Sequence, residues 1–489
     1  MAGTGYRLSA GLLALLQWAA TPAQADPWLA PGNEALRSDI LRLADAGILR
    51  GPVTTWPISW PDIARDVNGI TASELDAGTA ASLRRVQRMA REAAGLGFSG
   101  GGIRVAGASE TQRLRSFADS PREEAEISLR AGWLGERVAI KVEAAVVADA
   151  DDGKRVRLDG SYLGVNVGNF MVSVGYMDRW WGPGWDGNLI LSTNARPIPS
   201  LTIERNYTDP FKTKLLSWIG PWRASIAVGE AEDHGVDVPG VRFLAARVNF
   251  KPRPWLEVGL TRTAQWCGGD RDCGWDTFTR LVLGRDNRGD GVQADDEPGN
   301  QMAGYDIRLR SPWRALPIAF HSQWIGEDEA GGLPSKFMGQ FGLESWGYAA
   351  FGAWRLRGEF SDTACSFTRE APQFECGYRN NLYPQGYSYR GRTIGHPMDN
   401  DSRMYSFGGI LTRDNGDSFG FTFKRVAINR DGGAHPISTV RLDVDDVELR
   451  ASRDFRLGKI SAGLGYEWGG ESALQGSGVR AYLSWQQGY

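Results

Sequence analysis

Short segments in which apolar and polar residues alternate run through the chain from about residue 99 to its end. They include residues 138–144, 244–250, 305–310, 354–360, 460–468 and 479–486. Successive side chains of a β-strand point to opposite faces, so this period of two predicts strands with one apolar and one polar face. Gly, Asp, Asn and Pro cluster between the segments, for example at residues 149–153 and 413–417, and such clusters are typical of turns.

The character of the two faces indicates a membrane barrel instead of a soluble sandwich. The polar face carries many charged residues and glycines, and aromatic residues lie at the ends of the apolar stripes, in a chain with 19 Trp, 19 Phe and 14 Tyr. A barrel with lipid outside, a wet interior and aromatic girdles has this arrangement. We therefore predict an all-β transmembrane barrel in the outer membrane of a Gram-negative cell. At roughly 42 residues per hairpin, residues 99–489 provide about 18 antiparallel strands.

The first 25 residues have the layout of a secretory signal peptide. Arg7 is the only charged residue before Asp26, the run from Leu8 to Ala20 is apolar, and residues 23–25 (AQA) form a small-residue cleavage site. The alternative is a transmembrane helix, but the run is shorter than the roughly 20 apolar residues that crossing a bilayer requires. We expect residues 1–25 to be removed and the mature chain to begin at Asp26.

Residues 26–98 have a helical instead of a strand pattern. Apolar residues recur at helical spacing in residues 36–47 and 83–93, and Ser59 precedes Pro61-Asp62 in the manner of a helix start. This pattern predicts a small periplasmic bundle of about three helices, which is the obvious plug for a wide barrel. Gly95, Gly97 and Gly100 match a dinucleotide fingerprint formally, but they follow a helix and precede strands, so we interpret them as a hinge between bundle and barrel.

The four cysteines form two local pairs in polar surroundings. Cys267 and Cys273 are one pair, and Cys365 and Cys376 are the other. In an exported chain, close pairs in polar loops favour disulfides. The alternative is zinc, but neither pair has CxxC spacing or a nearby histidine.

Charge and composition limit the possible partners. The net charge of −3 does not favour nucleic-acid binding, which a strongly basic chain would indicate. The basic residues are 47 Arg and only 8 Lys. The planar guanidinium of arginine grips carboxylates in pairs and stacks on aromatic rings, so this composition suits acidic sugars. A genome rich in G and C would produce the same bias, and the sequence leaves both explanations open.

The densest cluster of chemically interesting residues is residues 180–197. Aromatic rings stack on pyranoses, while amides and guanidinium groups bond hydroxyls and carboxylates. The candidate carbohydrate-binding residues are Trp181, Trp185, Asp186, Asn188, Asn194 and Arg196. The alternative is a tight turn whose polar residues order a buried loop.

Several motifs in the same order resemble the capsule assembly protein Wzi family, over nearly the whole mature chain. They are residues 36–47 (LRSDILRLADAG), 54–60 (TTWPISW), 181–184 (WGPG), 191–197 (LSTNARP), 218–222 (WIGPW) and 256–263 (LEVGLTRT). The resemblance implies an outer-membrane barrel of about eighteen strands whose lumen is occluded by an N-terminal periplasmic helical bundle. It also implies a lectin-like role in attaching capsular polysaccharide to the cell surface. The paired loop cysteines are not part of the motifs that carry this resemblance.

Two further features of the sequence bear on ion binding and catalysis. Residues 286–297 nearly match a calcium loop, but Arg288 occupies a ligand position, which favours a solvated acidic loop. The four histidines, His234, His321, His396 and His435, have no metal spacing, and no nucleophile elbow accompanies them. We therefore expect no metal, no cofactor and no enzymatic activity.

The sequence thus predicts a protein that tethers or organises capsular polysaccharide or exopolysaccharide at the cell surface. Its expected partners are that polymer, the lipid and lipopolysaccharide of the outer membrane, and the polysaccharide export machinery. The alternative function is a porin selective for sugars or acidic solutes, and the distinction depends on whether the helical region closes the lumen.

Overall fold

The alternating segments form strands of one barrel, because a chain with an apolar and a polar face needs different surroundings on its two sides. A computed structural model describes residues 26–231, 238–269, 271, 273–283, 299–313, 315–330, 333–470 and 478–488. Within this part of the chain, 18 antiparallel strands close into a barrel, if Val156–Arg157 and Tyr162–Val167 are counted as two pieces of one strand along the same neighbour. The predicted fold class is therefore confirmed.

We number the barrel strands in chain order. They are β1 Gly97–Ala108, β2 Ala125–Leu134, β3 Val138–Ala148, β4 Val156–Arg157 with Tyr162–Val167, β5 Phe170–Gly175, β6 Ser200–Arg205, β7 Trp222–Ala231, β8 Val241–Arg253, β9 Leu256–Trp266, β10 Gly299–Arg310, β11 Ile318–Ala330, β12 Leu333–Ala349, β13 Gly352–Asp362, β14 Arg403–Thr412, β15 Ser418–Ile428, β16 Leu442–Phe455, β17 Gly458–Gly469 and β18 Val479–Gln487.

Register and exposure follow the alternation in the sequence. β18 pairs with β1, with Gln487 opposite Ile103, and this pairing closes the barrel. Ile127 and Leu129 of β2 point outwards and are 54% and 60% exposed, whereas Ser128 between them points inwards and is 1% exposed. None of the described helices has the length and apolar character needed to cross a bilayer.

The two ends of the barrel differ in the length of their connections. Short connections at one end span residues 135–137, 168–169, 254–255, 350–351 and 456–457. Long connections at the other end span residues 109–124, 176–199, 267–298, 363–402 and 429–441. Since outer-membrane barrels have short periplasmic turns and long external loops, the second end is the extracellular one.

The helices predicted before the barrel are present, and each begins at a capping side chain. They are α1 Glu34–Asp45, α2 Trp60–Val67 and α3 Ala77–Ala93. Asn33, Ser59 and Asp76 accept hydrogen bonds from the backbone N–H groups of Leu36, Asp62 and Thr79, respectively. These bonds satisfy N–H groups that have no partner within the helix. The apolar faces of the three helices pack together around Ile40, Val67, Leu83 and Val86.

The helical region lies against the lumen wall at the periplasmic end, and buried ion pairs join the two. Asp45 of α1 binds Arg308 of β10 at 2.6 Å and approaches Arg355 of β13 at 3.4 Å. Glu34 binds Arg357 of β13 at 2.8 Å and Arg450 of β16 at 3.1 Å. The polar interior of the barrel is therefore neutralised by the helices that fill it.

Two extracellular connections fold into the lumen and meet the helical region there. We call residues 109–124 the first loop and residues 176–199 the inward loop. Phe117 donates its backbone N–H to the carbonyl of Trp185, and Asp119 donates to the carbonyl of Gly32, which precedes α1. Trp180–Trp181 of the inward loop also pairs as a short strand with Thr55–Trp56. The lumen is thus filled from both ends.

The boundary between helices and barrel is tighter than the sequence suggested. β1 begins at Gly97, two residues before the expected boundary, so only residues 94–96 separate it from α3. The predicted glycine hinge is wrong at Gly97 and Gly100, because both belong to the start of β1, with a register irregularity between Phe98 and Gly101. The signal peptide, the acidic loop at 286–297 and His234 lie outside the described residues.

Both cysteine pairs form disulfides, as predicted. Cys267–Cys273 lies in the connection after β9, and Cys365–Cys376 lies in the connection after β13. Both are at the extracellular end. A fourth helix, α4 Trp275–Leu283, follows the first disulfide.

The ion pairs between α1 and the wall give a test of how the helices are held. We expect Asp45→Ala to lower the free energy of unfolding by about 3–5 kcal/mol, because two buried guanidinium groups would share only Glu344. Urea titration of the protein folded in phospholipid vesicles measures this loss. Arg88→Ala on α3 is the matched control, since Arg88 is exposed and lies 4.0 Å from Glu92, and it should cost less than about 1 kcal/mol. Equal effects of the two substitutions would contradict the ionic docking of α1.

Candidate functional site

The inward loop carries the residues that the sequence singled out, and most of them are buried. Trp185 is fully enclosed between two guanidinium groups, with Arg37 4.2 Å and Arg357 4.9 Å from its ring centroid. Its backbone N–H donates to Glu359 at 2.7 Å, and its indole N–H donates to Glu344 at 3.3 Å. The ring therefore stacks on the protein's own cations, and in this conformation it has no open face for a sugar.

The neighbouring candidates also bind protein groups. Trp181 is 1% exposed and its carbonyl accepts from Gln323 of β11. Asp186 accepts from the hydroxyl of Ser406 at 2.9 Å and lies 3.5 Å from the guanidinium of Arg357. Asn188 accepts from the N–H of Gly184. These contacts are those of a buried ordered turn, which was the alternative interpretation of this stretch.

Close packing explains a glycine in this turn. A Cβ at Gly187 would lie 2.3 Å from Nε2 of His396, so a larger residue would displace that imidazole. His396 is itself buried, on the connection 363–402, which we call the cap loop. The backbone of the inward loop therefore packs directly against a side chain of the cap loop.

The last two candidates lie nearer the extracellular surface. The side chain of Asn194 donates to the carbonyl of Thr393 in the cap loop at 2.9 Å. Arg196 binds both carboxylate oxygens of Asp159 at 2.8 Å and also pairs with Asp152. Although burial disfavours its charge, these carboxylates raise the pKa of Arg196. Its Nε and both Nη atoms therefore already bond carboxylates of the protein, and sugar contact by the six candidates stays a prediction.

Tyrosines of the cap loop hold the inward loop in place. The hydroxyls of Tyr378 and Tyr387 donate to the carbonyls of Leu189 and Ile190 at 2.5 and 2.7 Å. Tyr383 donates to the carbonyl of Cys267 at 2.9 Å, which links the cap loop to the other disulfide-bonded connection. Buried carbonyls of an irregular loop need such partners, so the tyrosines fix its path.

Three arginines that the sequence analysis did not select form a cluster at the extracellular end. Arg115 and Arg122 belong to the first loop and Arg392 to the cap loop, and we call them the arginine cluster. Arg115 donates to the carbonyl of Ser120, Arg122 to that of Asn194 and Arg392 to that of Gln112. Carbonyl oxygens accept from some of their N–H groups without neutralising their charges, and the buried Nε of Arg115 has no hydrogen-bond partner among the described residues.

The carboxylates near this cluster are only loosely paired. Arg122 lies 3.3 Å from Asp178, Arg115 3.6 Å from Asp119 and Arg392 3.7 Å from Asp151. These separations exceed the 2.7–2.9 Å typical of charge-assisted hydrogen bonds. An arrangement of this kind can accept a further carboxylate.

Burial and electrostatic repulsion within the cluster both disfavour its charged state. Burial, followed by the charge of Arg122, lowers the pKa of Arg115 to about 9. The same two causes lower the pKa of Arg392. An anion placed between these guanidinium groups would relieve the repulsion. No short-range pattern could have revealed the cluster, because two separate loops bring its members together.

The histidines show no arrangement for catalysis or metal binding in the part of the chain that is described. His321 lies between Glu344 and Glu359 inside the barrel. Nδ1 of His435 accepts from the N–H of Ile437, so its Nε2 carries the proton and donates to the carbonyl of Asn400 at 2.9 Å. That nitrogen therefore cannot act as a base for nearby Ser402. Among the described residues, no three His, Cys, Asp or Glu side chains are grouped to hold a metal.

Comparison with known proteins identifies the family. The family model "Capsule assembly protein Wzi" matches residues 97–473. The chain belongs to this family. Among solved structures, the chain is similar to Wzi, described as an outer-membrane protein involved in group 1 capsule assembly in Escherichia coli and as a carbohydrate-binding β-barrel. The TM-score is 0.82 at 23% identity, and the match covers 94% of this chain and 99% of the other. At this identity the likeness shows the fold.

A curated relative comes from Klebsiella pneumoniae. It is called an uncharacterised 55.8 kDa protein in the cps region and is 29% identical over 328 residues. The match covers 65% of this chain and 62% of the relative's length, less than two thirds of either. As a member of the Wzi family, the chain is an outer-membrane barrel.

The buried state of Trp185 gives a prediction that separates support from contact. We expect Trp185→Ala to destabilise the folded protein by about 3–5 kcal/mol, because it leaves a large cavity beside two guanidinium groups. Urea titration in vesicles measures this loss, and Arg88→Ala is again the control because the side chain of Arg88 is 55% exposed. A Trp185→Ala protein of unchanged stability that has lost affinity for oligosaccharides would instead make this ring a direct sugar contact.

Proposed function

We propose that this protein is a non-catalytic, lectin-like barrel that holds an acidic capsular or extracellular polysaccharide at the surface of the outer membrane. The observation that carries the proposal is the arginine cluster at the extracellular end of a capsule-assembly family member. Wzi of E. coli is described as carbohydrate-binding, and that description supports the same class of ligand here.

Two arginines of the cluster are exposed enough to contact a sugar directly. The side chains of Arg392 and Arg122 are 22% and 16% exposed, whereas that of Arg115 is 3% exposed. A sugar carboxylate would meet Arg392 and Arg122 first and would feel the buried charge of Arg115 beneath them. Arginine suits this role because its planar fork bonds a carboxylate with two parallel N–H groups.

The inward loop supports this site from below. Its Asn194 carbonyl accepts from Arg122, and its Asp178 is the nearest carboxylate to the same guanidinium. Direct sugar contact by Trp181, Trp185, Asp186 or Asn188 would require this loop to leave the lumen. We therefore propose that those residues position the cluster and that Arg122 and Arg392 bind.

Packing of the lumen favours a tether over the porin alternative. The helical region, the first loop and the inward loop meet at mid-lumen, where Phe117 stacks edge-on against Trp56 and Trp180 with centroids 5.1 and 5.3 Å apart. Solutes would have to displace these rings and the ion pairs of α1.

Binding of short oligosaccharides tests the proposed site. We expect Arg122→Ala and Arg392→Ala each to weaken binding of an acidic oligosaccharide fragment by about 1–3 kcal/mol, as truncation at the centre of a binding site does. Calorimetry on the folded proteins measures the loss. Arg441→Ala is the matched control, because Arg441 is an arginine with a 58% exposed side chain in the extracellular connection 429–441, which contributes no residue to the cluster. Fragments are preferable to polymer, since many repeats on one chain would mask a weakened site.

Two results would count against this assignment. Equal weakening by Arg441→Ala would mean that net charge, not the cluster, attracts the fragment. Unchanged affinity in the Arg122→Ala, Arg392→Ala double variant would place binding elsewhere on the extracellular loops.

Conductance tests the tether against the porin. We expect the intact mature protein to give no stable channel in planar bilayers, because the lumen is filled from both ends. A variant lacking residues 26–96 should conduct if its barrel folds, as judged by heat-modifiability on gels. A large, stable conductance from the intact protein would contradict the tether and favour the porin.

A further inference from the structure

Helix α4 lies outside the barrel, although it belongs to an extracellular connection. Its Leu281 is fully buried in a cluster with Leu244 of β8 and with Ala264 and Trp266 of β9. Those wall residues point away from the lumen, since they alternate with residues on the lumen side, such as Phe243 and Gln265, which contact the cap loop. The chain after β9 therefore turns outwards and returns down the lipid-facing side of the wall.

The disulfide Cys267–Cys273 lies where the chain turns outwards after β9. It closes the chain directly after Trp266, the last residue of β9, and only Gly274 separates Cys273 from α4. The carbonyl of Cys267 accepts from Tyr383 of the cap loop. The start of α4 is thus fixed to the barrel rim.

The C-terminal end of α4 is hydrogen-bonded to the barrel wall, close to wall residues that face lipid. Arg262 of β9 points outwards and donates to the carbonyls of Leu281 and Val282 at 2.7 and 3.1 Å. One outward position further down β9 lies Leu260, exposed on the wall and paired with exposed Val248 and Tyr305. Two residues along a strand span about 7 Å. The last turn of α4 therefore lies roughly one row of side chains above apolar wall that faces lipid.

Satisfied backbone groups at the end of α4 suit a site without water. The last carbonyls of a helix have no partners within it, and each unsatisfied polar group in hydrocarbon costs several kcal/mol. Arg262 supplies partners for two of these carbonyls and also donates to the side chain of Gln301. In water these carbonyls would need no protein partner.

The outer side of α4 exposes two large apolar side chains, with the exposed Asp276 beside the first of them. Trp275 is 79% exposed and Val282 is 45% exposed, at opposite ends of the helix. Trp is enriched at the interface between headgroups and acyl chains, and amphipathic helices lie in that plane. The helix continues the lipid-facing surface of the barrel upwards.

We propose that α4 is an interfacial helix whose outer side, with Trp275 and Val282, packs against acyl chains of the outer leaflet. The occupant is lipid, because the apolar surface of α4 is continuous with barrel wall that already faces the bilayer. The helix would widen the lipid contact of the barrel between β7 and β9 and oppose vertical movement of that side. This role is independent of the polysaccharide site.

Spin labels on the full-length protein in phospholipid vesicles test the location. All four native cysteines are disulfide-bonded, so a single introduced cysteine accepts a nitroxide without reduction. We expect labels at Trp275→Cys and Val282→Cys to collide with oxygen more than with a water-soluble nickel chelate. Leu260→Cys is the lipid-facing control, and Lys154→Cys in an extracellular turn is the water-facing control.

Fluorescence provides a second measurement free of new cysteines. Lipids brominated near the headgroup should quench more emission from the wild-type protein than from Trp275→Phe. Nickel collisions at both α4 positions as frequent as at Lys154→Cys, without the difference in quenching, would place α4 in water and overturn the proposal. Low collision with both reagents would also overturn it, because a second protein copy would then cover the helix.

Discussion

The polar interior of the barrel is the constraint on which the rest of the structure depends. Arginines on the inner wall, such as Arg308 and Arg357, are buried, and a buried guanidinium is costly unless a carboxylate pairs with it. Asp45 and Glu34 of α1 supply those carboxylates. The wall and the helices therefore stabilise each other through these ion pairs. This dependence also explains why loops that enter the lumen from outside are held by hydrogen bonds to Glu359 and Gln323 instead of by apolar packing alone.

Much of the fold could be predicted from the sequence, because its signals are local. Alternation determines which residues of a strand share a face, and Ser59 marks a helix start three residues before Asp62, whose N–H group it caps. The position of the helices relative to the wall was not predictable in the same way. Asp45 and Arg308 are 263 residues apart, and only the closed barrel brings them together. Helix α4 was missed altogether, since nothing in its nine residues indicates which side of the wall it covers.

The candidate site shows why residue chemistry alone does not establish which side chains are available to bind a sugar. Trp185, Asp186 and Arg196 are residue types that bind sugars, but stacking on a guanidinium and bidentate pairing with a carboxylate work equally well inside a protein. Arg37 occupies one face of Trp185, and Asp159 occupies Arg196. A residue type therefore indicates what a side chain can bind, whereas the number of partners already bound indicates whether it remains available. By that measure Arg122 and Arg392 are better candidates than the residues in the conspicuous motif.

The loops that hold the arginine cluster give it a rigid base. The first loop is anchored through Phe117 and Asp119 deep in the lumen, and tyrosines together with Cys365–Cys376 constrain the cap loop. A cluster on such a base loses little conformational entropy when an anion binds, and preorganisation of this kind raises affinity without adding contacts. A single site of modest affinity is then sufficient, because a polymer that carries one carboxylate in each repeat meets many copies of the barrel. On this proposal, retention of polysaccharide would depend on the density of these barrels in the membrane, and the rigid packing of the lumen would make each of them a fixed point of attachment.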